Sequence, residues 1–401
     1  MLRITVITNT FTPELGAAPS RLKDMVLGLS SAGFEVDVLT AMPNYPLGKI
    51  FEKYRRKWFL SEKMGEITVR RHWLIPSNND NKISRLISML TLSWSVMMFS
   101  CYYILKRKPN YIIAQYPPIM LPLVAWLFSK LTSSRLILNV SDLWPSAIKE
   151  LGIIKSKSWY YTQLEKIETF LYQQASYCLA QSNEIVQHIK NKKQLSVLLY
   201  RTGVDCKLFE QKTDYSRKKG EKIKIAYMGV LGVAHGLYQI CQEINFEELK
   251  MELHIFGEGY EKKLIQNFLE NTGERGIFLH GMVHPQGVPA ILRSFDAALI
   301  AQKTHLIGTL PSKTYEAMAT GLPIIFHGGG EGALLVEENK CGWVSSPNDF
   351  EKLKENLIKL AYSPLTELVS MGNNGRKAAL TQFERKDQIA KLIHLLETGQ
   401  I

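Results

Sequence analysis

Apolar residues in the first half of the chain form short runs, separated by longer stretches with helical spacing. Runs rich in β-branched residues are typical of buried strands, and apolar residues at every third or fourth position indicate helices. The predicted strands lie at 4–8, 36–40, 67–71, 111–115, 136–140, 177–180 and 197–200, and the predicted helices at 22–32, 82–105, 119–131 and 159–174. This alternation predicts a parallel sheet with helices on both faces.

The pattern pauses at 202–205, and a polar, charged stretch at 212–224 is predicted to link two domains. Further strands are then predicted at 223–228, 251–256, 277–279, 297–300, 324–326 and 342–344, and helices at 236–244, 261–270, 288–293, 312–320, 350–360, 364–382 and 385–397. The sequence therefore predicts an α/β protein with two Rossmann-like parallel-sheet domains, 1–203 and 204–382. We expect the C-terminal helix within 383–401 to join the first domain. The domains would face a central cleft, since ligands of such folds bind at the carboxyl ends of the strands.

The composition is that of a globular protein whose length suggests two domains. The chain has 401 residues and is 46% hydrophobic. Its five cysteines are scattered without C-x-x-C spacing, which argues against a zinc cluster or a disulfide framework and fits a reducing cytoplasm. The N-terminus enters a strand pattern directly, so no signal peptide is expected.

The positive charge is concentrated in one half of the chain. Residues 1–200 contain 25 Lys and Arg against 13 Asp and Glu, whereas residues 201–401 contain 24 of each kind, so the first half carries the whole net charge of +12. The basic clusters lie at 53–57, 70–71, 106–108 and 190–193. Nucleic acid, anionic lipid and a pyrophosphate substrate are all candidate partners for such a half. For any single cluster, a solvated surface is the alternative.

The segment 86–105 contains no charged residue and is long enough to cross a membrane as a helix. It also contains Ser88, Thr91, Ser93, Ser95 and Ser100, several of which would face lipid in a lone span. A second apolar run, 119–128, is too short to cross. We therefore predict that both runs form helices packed on a sheet, with shallow membrane insertion as the alternative.

The stretch 310–332 carries the most informative motif. Pro311 and Ser312 open a predicted helix with Ser312 as its N-cap, and Gly321 ends it before a buried strand and the glycine turn 328–332. Because a helix N-terminus presents backbone N–H groups and a partial positive charge, it suits a diphosphate. Glu316, placed on the first turn, would accept hydrogen bonds from two ribose hydroxyls. The alternative is that Glu316 merely interacts with the helix dipole.

This motif, E-A-M-A-x-G-x-P followed by a strand and a glycine turn, resembles the nucleotide-sugar site of family-four retaining glycosyltransferases. The resemblance implies a GT-B fold in which Glu316 binds ribose and the helix start binds the donor diphosphate. It also implies that Gly16, in the loop after the first strand, lies under the donor phosphates, although that family has two adjacent glycines there. By the same resemblance, Met282 and Val283 belong to the segment that encloses the base.

The chain departs from that family at two places in the expected donor site. The loop from Gly229 through Gly232 to Gly236 has Val230 and His235 where the family has Arg and Lys. His235 would donate a hydrogen bond to phosphate, or it is a packed loop histidine, and Lys303 and Lys313 are candidates to supply the missing charge. In addition, Gly308 replaces the first of the family's paired glutamates. Backbone N–H groups of Gly308, Thr309 and Leu310 would then contact the donor.

The expected acceptor side rests on Asp142, which follows a predicted strand. An aspartate there orients an acceptor hydroxyl or acts as a base, or it caps the next turn. The motif D-L-W-P at 142–145 and the motif M-P-N-Y-P-L-G-K at 42–49 resemble bacterial N-acetyl-L-fucosamine transferases of O-antigen and capsule biosynthesis. The resemblance places Asn44, Tyr45, Asp142 and Trp144 on the acceptor side. Ser141 stands where many relatives have a histidine.

The resemblance implies transfer of a deoxy-amino sugar such as N-acetyl-L-fucosamine from UDP to a lipid-diphosphate-linked sugar. The anomeric configuration would be retained without a metal or other cofactor, and Asp142, His235 and Lys303 would be catalytic. We expect the protein in the cytoplasm, on the anionic inner face of the bacterial cell membrane, with no nucleic-acid partner. The alternatives are a sugar-nucleotide epimerase of the same architecture and a non-catalytic nucleotide-sugar-binding subunit.

Overall fold

The chain folds into two compact units. The structure is a computed structural model that describes residues 1–14, 16–45, 48–77, 82–146, 158–216, 220–273, 275–305 and 307–401, with Ala17 and Lys82 described by their backbone alone. The first unit consists of Met1–Arg201 and Gln388–Ile401, and the second unit of Thr202–Asp387. The chain therefore leaves the first unit at the start of the predicted pause and returns to it near the C-terminus.

The first unit contains an eight-stranded sheet in the order β3-β4-β2-β1-β5-β6-β7-β8. Its strands are β1 (Arg3–Ile7), β2 (Glu35–Ala41), β3 (Phe59–Met64), β4 (Ile67–His72), β5 (Tyr111–Tyr116), β6 (Arg135–Val140), β7 (Tyr177–Ala180) and β8 (Val197–Leu199). Its helices are α1 (Ala17–Ser31), α2 (Lys82–Arg107), α3 (Met120–Thr132), α4 (Trp159–Gln174) and α5 (Asn183–Lys192), with a short 3-10 helix at Glu52–Tyr54. The strands pair in parallel, except that β3 runs antiparallel to β4.

Two elements of the first unit lie outside the predicted pattern. β3 joins β4 through a tight turn at Gly65, where φ is +60°, a conformation that glycine adopts without strain. Its sequence has three consecutive polar residues, Ser61, Glu62 and Lys63, and lacks the apolar run of a central strand because β3 lies at the sheet edge. Helix α5 begins after Ser182, whose side chain accepts a hydrogen bond from the Ile185 N–H and so caps it.

The second unit contains a six-stranded parallel sheet in the order β11-β10-β9-β12-β13-β14. Its strands are β9 (Ile223–Met228), β10 (Met251–Phe256), β11 (Ile277–His280), β12 (Ala297–Ala301), β13 (Ile324–His327) and β14 (Gly342–Ser345). Its helices are α6 (Leu237–Glu243), α7 (Tyr260–Thr272), α8 (Val288–Arg293), α9 (Ser312–Thr320), α10 (Gly330–Glu338), α11 (Phe350–Tyr362) and α12 (Leu365–Gln382). Helix α10 was not predicted, because its first residues lie in the glycine-rich segment interpreted as a turn.

Both faces of each sheet are buried, as parallel sheets require. In the first unit, Ile4 and Val6 of β1 belong to the apolar cluster on one face and Ile7 to the cluster on the other. The last helix, α13 (Arg385–Thr398), contributes Leu392, Leu395 and Leu396 to the first of these clusters. The C-terminal segment is thus part of the core of the first unit.

Helix α2 packs on β2, β4 and α3, so the prediction of a helix packed on a sheet is correct. Within the described residues, it is the one helix that is long and apolar enough, by length and composition alone, to cross a membrane. Ser93, Ser95 and Ser100 are buried on its inner face. Their burial agrees with the prediction of a packed helix, since these serines would have faced lipid only in a lone span.

Candidate active site

In the first unit, the loop after β1 is tied to the segment after β2 by the buried carboxylate of Glu14. One carboxylate oxygen accepts hydrogen bonds from the backbone N–H groups of Asn44 and Tyr45, both at 2.8 Å, and the other accepts from the N–H of Phe11 at 3.0 Å. Burial raises the pKa of Glu14, whereas the three N–H donors act to lower it. Sequence reasoning passed over Glu14, although a lone acid inside an otherwise uncharged loop was a signal.

The same arrangement brings the predicted donor-side Gly16 beside the predicted acceptor-side Tyr45. A Cβ added at Gly16 would lie 3.6 Å from the Tyr45 ring, and the φ of Gly16 is +143°. Tyr45 is 38% exposed, so its ring remains available to a ligand. The Asn44 side chain instead donates to the carbonyl of Met42 at 3.0 Å. Pro46 and Leu47 of this motif, and Leu15 of the glycine loop, lie outside the described residues.

Asp142 follows the end of β6 and lies above a buried polar network. Ser141 donates to Asp142 Oδ2 at 3.3 Å and accepts a hydrogen bond from Gln115 Nε2 at 2.8 Å. Gln115 in turn accepts from Asn139 at 2.9 Å and from Arg21 at 3.4 Å. These hydrogen bonds restrict the orientation of the side chains that make them. Sequence reasoning missed Arg21 and Gln115; the signal was a glutamine inside the apolar run of β5.

Trp144 is held in place through its backbone carbonyl group, and its side chain is partly buried. The hydroxyl of Tyr116, at the end of β5, donates to the carbonyl oxygen of Trp144. The Trp144 side chain is half-buried against the core of the first unit. The structure therefore places Asp142 and Trp144 at the carboxyl ends of β5 and β6, where ligands of α/β folds bind.

In the second unit, His235 and Lys303 lie on adjoining loops at the carboxyl ends of β9 and β12. The Lys303 N–H donates to the carbonyl of Ala234 at 2.9 Å, and His235 Nδ1 lies 3.4 Å from the Ala301 carbonyl oxygen. Burial lowers the pKa of His235, so the ring is neutral near pH 7. If Nδ1 carries the proton, Nε2 has a lone pair and cannot donate to phosphate. In that tautomer, His235 must be protonated before Nε2 can donate to phosphate.

The start of α6, downstream of Gly232, is already occupied by a carboxylate. Glu261 is buried and accepts hydrogen bonds from the N–H groups of Leu237 at 2.9 Å and Tyr238 at 3.3 Å. A phosphate would have to displace this carboxylate to use the same donors. Val230, which replaces a basic residue of the family pattern, is 53% exposed on the preceding loop.

Helix α9 places Lys313 and Glu316 side by side. The Lys313 Nζ atom lies 3.0 Å and 3.1 Å from the two carboxylate oxygens of Glu316. Two details of the prediction are wrong. The N-cap is Pro311 rather than Ser312, so no side chain caps the helix, and Glu316 is the fifth helical residue, just beyond the first turn. The predicted end at Gly321 is correct, since Gly321 adopts the left-handed conformation of a C-cap.

A small pocket lies between the start of α9 and the sheet of the second unit. Its polar lining is Lys313 and Glu316, and the remaining lining residues are Ala226, Met228, Leu292, Ala298, Leu299, Ile300 and Ala317. At the far end of α9, Arg376 donates to the carbonyl of Ala319 at 2.5 Å and so satisfies one of the last carbonyl groups of the helix.

The remaining predicted donor residues follow the carboxyl ends of β11 and β12. Met282 follows β11 and is 56% exposed, whereas Val283 packs against the core. Thr309 is half-buried, and Leu310 packs against the same core as Val283. Gly308 is buried and has a φ of +86°, which a replacement glutamate would adopt only with strain. The departure at Gly308 therefore changes the backbone as well as the side chain.

Two family models match consecutive parts of the chain. The model described as "Glycosyl transferase 4-like domain" matches residues 16–195, and the model described as "Glycosyl transferases group 1" matches residues 223–363. The chain is also similar to WcaI of Escherichia coli (strain K12), a glycosyl transferase provisionally assigned to colanic acid biosynthesis. The two are 25% identical over 338 residues, which cover 80% of this chain and 82% of WcaI.

Solved structures of the same fold cover the whole chain. Sucrose-phosphate synthase from Thermosynechococcus elongatus matches with a TM-score of 0.79 at 14% identity. The match covers 100% of this chain and 99% of the synthase chain. HepE of Anabaena, in complex with UDP-glucose, matches with a TM-score of 0.70 at 15% identity. This match covers 99% of this chain and 100% of the HepE chain. At these identities the likeness concerns the fold alone.

Proposed function

Because its two family matches make this chain a glycosyltransferase of group 1, we propose that it transfers a sugar from a UDP-sugar to a lipid-diphosphate-linked sugar. The two parallel-sheet domains are those of the GT-B fold. The proposed donor sugar is a deoxy-amino sugar such as N-acetyl-L-fucosamine, and the proposed pathway class is bacterial surface polysaccharide synthesis. The assignment of WcaI to colanic acid biosynthesis is consistent with that class.

The observation that carries the proposal is the pairing of Lys313 with Glu316 at the uncapped start of α9. Without a ligand, the two charges neutralise each other. A diphosphate would compete for the Lys313 ammonium group and for the leading N–H groups of the helix. The Glu316 carboxylate would then be released to accept hydrogen bonds from the ribose hydroxyls. HepE, a structural neighbour of this chain, was solved with UDP-glucose, which supports a UDP-linked donor.

In the proposed mechanism, the bond from the anomeric carbon to the UDP oxygen breaks, and an acceptor hydroxyl bonds to that carbon with retained configuration. The departing UDP gains negative charge, which Lys303, Lys313 and protonated His235 stabilise. Asp142 either takes up the proton of the acceptor hydroxyl or only orients that hydroxyl, whose proton then passes to the departing UDP oxygen. No step of this mechanism requires a metal, so activity should persist in a chelator.

The first test is a transfer assay with a panel of UDP-sugars and a lipid-diphosphate-linked acceptor, with chelator present. We expect UDP release that depends on acceptor, and a product whose anomeric configuration matches that of the donor by NMR. A new sugar nucleotide formed without acceptor would instead identify an epimerase. UDP-sugar binding without turnover on any acceptor would identify a binding subunit. Either result would contradict the proposed transfer.

We further propose that the protein works at the inner face of the cell membrane, where a lipid-linked acceptor is accessible. The basic first half of the sequence supports this location, because each Lys or Arg near an anionic leaflet contributes about 1 kcal/mol of binding free energy. Electrostatic binding of this kind is weakened by salt, since the Debye length is about 8 Å at physiological ionic strength.

A further inference from the structure

Helix α2 presents an apolar face to solvent. Along its described length, the exposed side chains between Leu86 and Leu105 are all aliphatic, aromatic or methionine side chains. Trp94 is 52% exposed, Met98 59% and Tyr102 78%. We call this set the α2 face; it consists of Leu86, Ile87, Leu90, Trp94, Met97, Met98, Phe99, Tyr102 and Leu105. From Leu86 to Leu105 the face extends for about 29 Å, at 1.5 Å per helical residue.

Three serines of α2 are turned toward the first unit. Ser93, Ser95 and Ser100 are buried against the first unit, and the Ser100 hydroxyl lies 2.7 Å from Nε2 of the buried His72. The inner side also carries the buried Leu92, Val96 and Ile104, so α2 is apolar on both sides, whereas an ordinary surface helix has a polar outer side. An exposed apolar surface of this extent marks an interaction site on a protein. Because α2 packs on β2, β4 and α3, lipid cannot surround the helix in the folded protein.

Basic residues border the α2 face. Arg85 lies at one end, and Lys106 and Lys108 are exposed at the other. The Phe99 ring stacks on Phe59 with a centroid distance of 6.1 Å. Phe59 follows directly after Trp58, which is 57% exposed, and after the basic segment 53–57, whose Lys and Arg residues are exposed. Between Asp80 and Asp142 the sequence has seven Lys and Arg and no Asp or Glu. The charge that complements this surface is therefore negative.

We propose that the α2 face lies in the interfacial region of an anionic lipid bilayer, parallel to the membrane plane. The apolar side chains enter the boundary between head groups and acyl chains, while Trp94 and Tyr102 hold the polar edges of their rings at the head groups. Arg85, Lys106, Lys108 and the 53–57 segment bind the anionic head groups. This inference rests on the proposed function, because a lipid-linked acceptor is the reason for the enzyme to bind a membrane. The α2 face itself is far in the sequence from the donor motif at 310–332.

Charge distinguishes a lipid surface from a second copy of the chain. In a two-fold pair, the α2 faces would meet with Arg85 of one copy near Lys106 and Lys108 of the other, or with identical ends together. Both arrangements place like charges opposite one another. An anionic bilayer satisfies the apolar face and the basic border at the same time.

The test uses the full chain and vesicles of phosphatidylcholine, either pure or with about a third phosphatidylglycerol, in a flotation assay. The variant is Leu90→Glu, and the matched control is Leu380→Glu, because both leucines are 46% exposed on helices. We expect Leu90→Glu to weaken partition into anionic vesicles at least tenfold, whereas Leu380→Glu leaves it unchanged. For the wild-type protein, high salt should weaken partition without abolishing it.

A second measurement does not depend on the folding of a variant. Vesicles with brominated acyl chains should quench part of the tryptophan fluorescence of the wild-type protein, and Trp94→Phe should reduce that quenching. Equal partition of Leu90→Glu and wild type, or binding abolished by salt alone, would overturn the proposed insertion. Self-association that Leu90→Glu abolishes, without vesicle binding by the wild type, would instead identify a second copy as the occupant.

The outcome is separable from the proposed function. UDP affinity, and transfer to a water-soluble acceptor analogue, should be the same in wild type, Leu90→Glu and Leu380→Glu. Loss of transfer with every acceptor, but with insertion intact, would contradict the glycosyl transfer and leave the membrane surface standing. Normal transfer with no insertion would contradict the surface alone.

Discussion

At the scale of single residues, Glu14 illustrates how a buried charge organises a site. A carboxylate removed from water is stable only where other donors replace the lost hydration, and three backbone N–H groups do so here. Because two of these donors belong to Asn44 and Tyr45, Glu14 positions a motif thirty residues away in the sequence. Such a pairing depends on the folded backbone, so no local sequence pattern could predict it.

The role of Glu316 leads to a prediction at this scale. Glu316→Gln keeps the side-chain shape but replaces the charged carboxylate that would accept hydrogen bonds from the ribose hydroxyls. The free energy of UDP binding should therefore weaken by about 1–3 kcal/mol. Isothermal titration calorimetry measures the change. Glu367→Gln, at an exposed position near the start of α12, is the control and should leave UDP affinity unaltered. Unchanged affinity in Glu316→Gln would contradict the assignment.

Asp142 gives a second prediction, because it lies in the first unit and the proposed UDP site lies in the second. Asp142→Asn preserves the hydrogen bond from Ser141 but removes a base and a negative charge. We expect kcat to fall while UDP affinity and the melting temperature stay nearly constant. Ser141→Ala provides the comparison for loss of the supporting network. A variant that unfolds, or that no longer binds UDP, would identify Asp142 as a structural cap or a donor ligand.

At the scale of secondary structure, α9 was predicted with its correct bounds, whereas β3 and α10 were not predicted at all. Pro311 and Gly321 punctuate α9 locally, and such signals are readable from sequence. β3 is an edge strand, and α10 begins inside a glycine-rich segment, so tertiary packing rather than local preference stabilises them. The inner and outer faces of α2 were likewise beyond prediction, since either side of this apolar helix could have met the sheet.

The attachment of α2 to the sheet has a predicted pH dependence. His72 lies between Thr40 of β2 and Ser100 of α2, and burial lowers the pKa of His72 to about 4. The unfolded chain binds this proton near pH 6.5, whereas the folded chain does so only near pH 4. The unfolded state therefore binds more protons in that window, and stability falls as the pH falls through it, by about 3 kcal/mol at pH 4.

His72→Gln cannot be protonated, so urea unfolding of this variant between pH 7 and pH 4 should lose about 3 kcal/mol less than wild type. Burial also lowers the pKa of His327 in the second unit to about 4. His327→Gln is therefore the comparison, because it removes a similar titration from the second unit instead of the first. The same acid sensitivity in wild type and His72→Gln would show that His72 does not titrate between the two states.

At the scale of the whole molecule, the two units differ in the number of chain segments that form them. The second unit is one continuous segment, whereas the first unit needs both Met1–Arg201 and Gln388–Ile401. α13 packs closely on α1, since a Cβ added at Gly28 would lie 2.6 Å from Ile389. The alternation of strands and helices was sufficient to predict two domains.

A core substitution in α13 should accordingly weaken the first unit alone. Leu392 is fully buried, so Leu392→Ala should lower the stability of the first unit by about 2–5 kcal/mol. Hydrogen exchange resolves the two units, and we expect faster exchange in β1 and α1 with little change in β9 or β12. Leu334→Ala, at a half-exposed position of α10, serves as the control. Uniform acceleration across both units would indicate that they unfold together.

The late position of α13 in the chain has a consequence for synthesis on the ribosome. The sheet of the first unit emerges early, but Leu392, Leu395 and Leu396, which cover one of its apolar clusters, are translated only after the whole second unit. At roughly 5–20 residues per second, the uncovered surface persists for on the order of ten seconds or more. During that interval the nascent chain displays a chaperone-binding surface. Premature termination after the second unit would make that exposure permanent and mark the product for proteolysis.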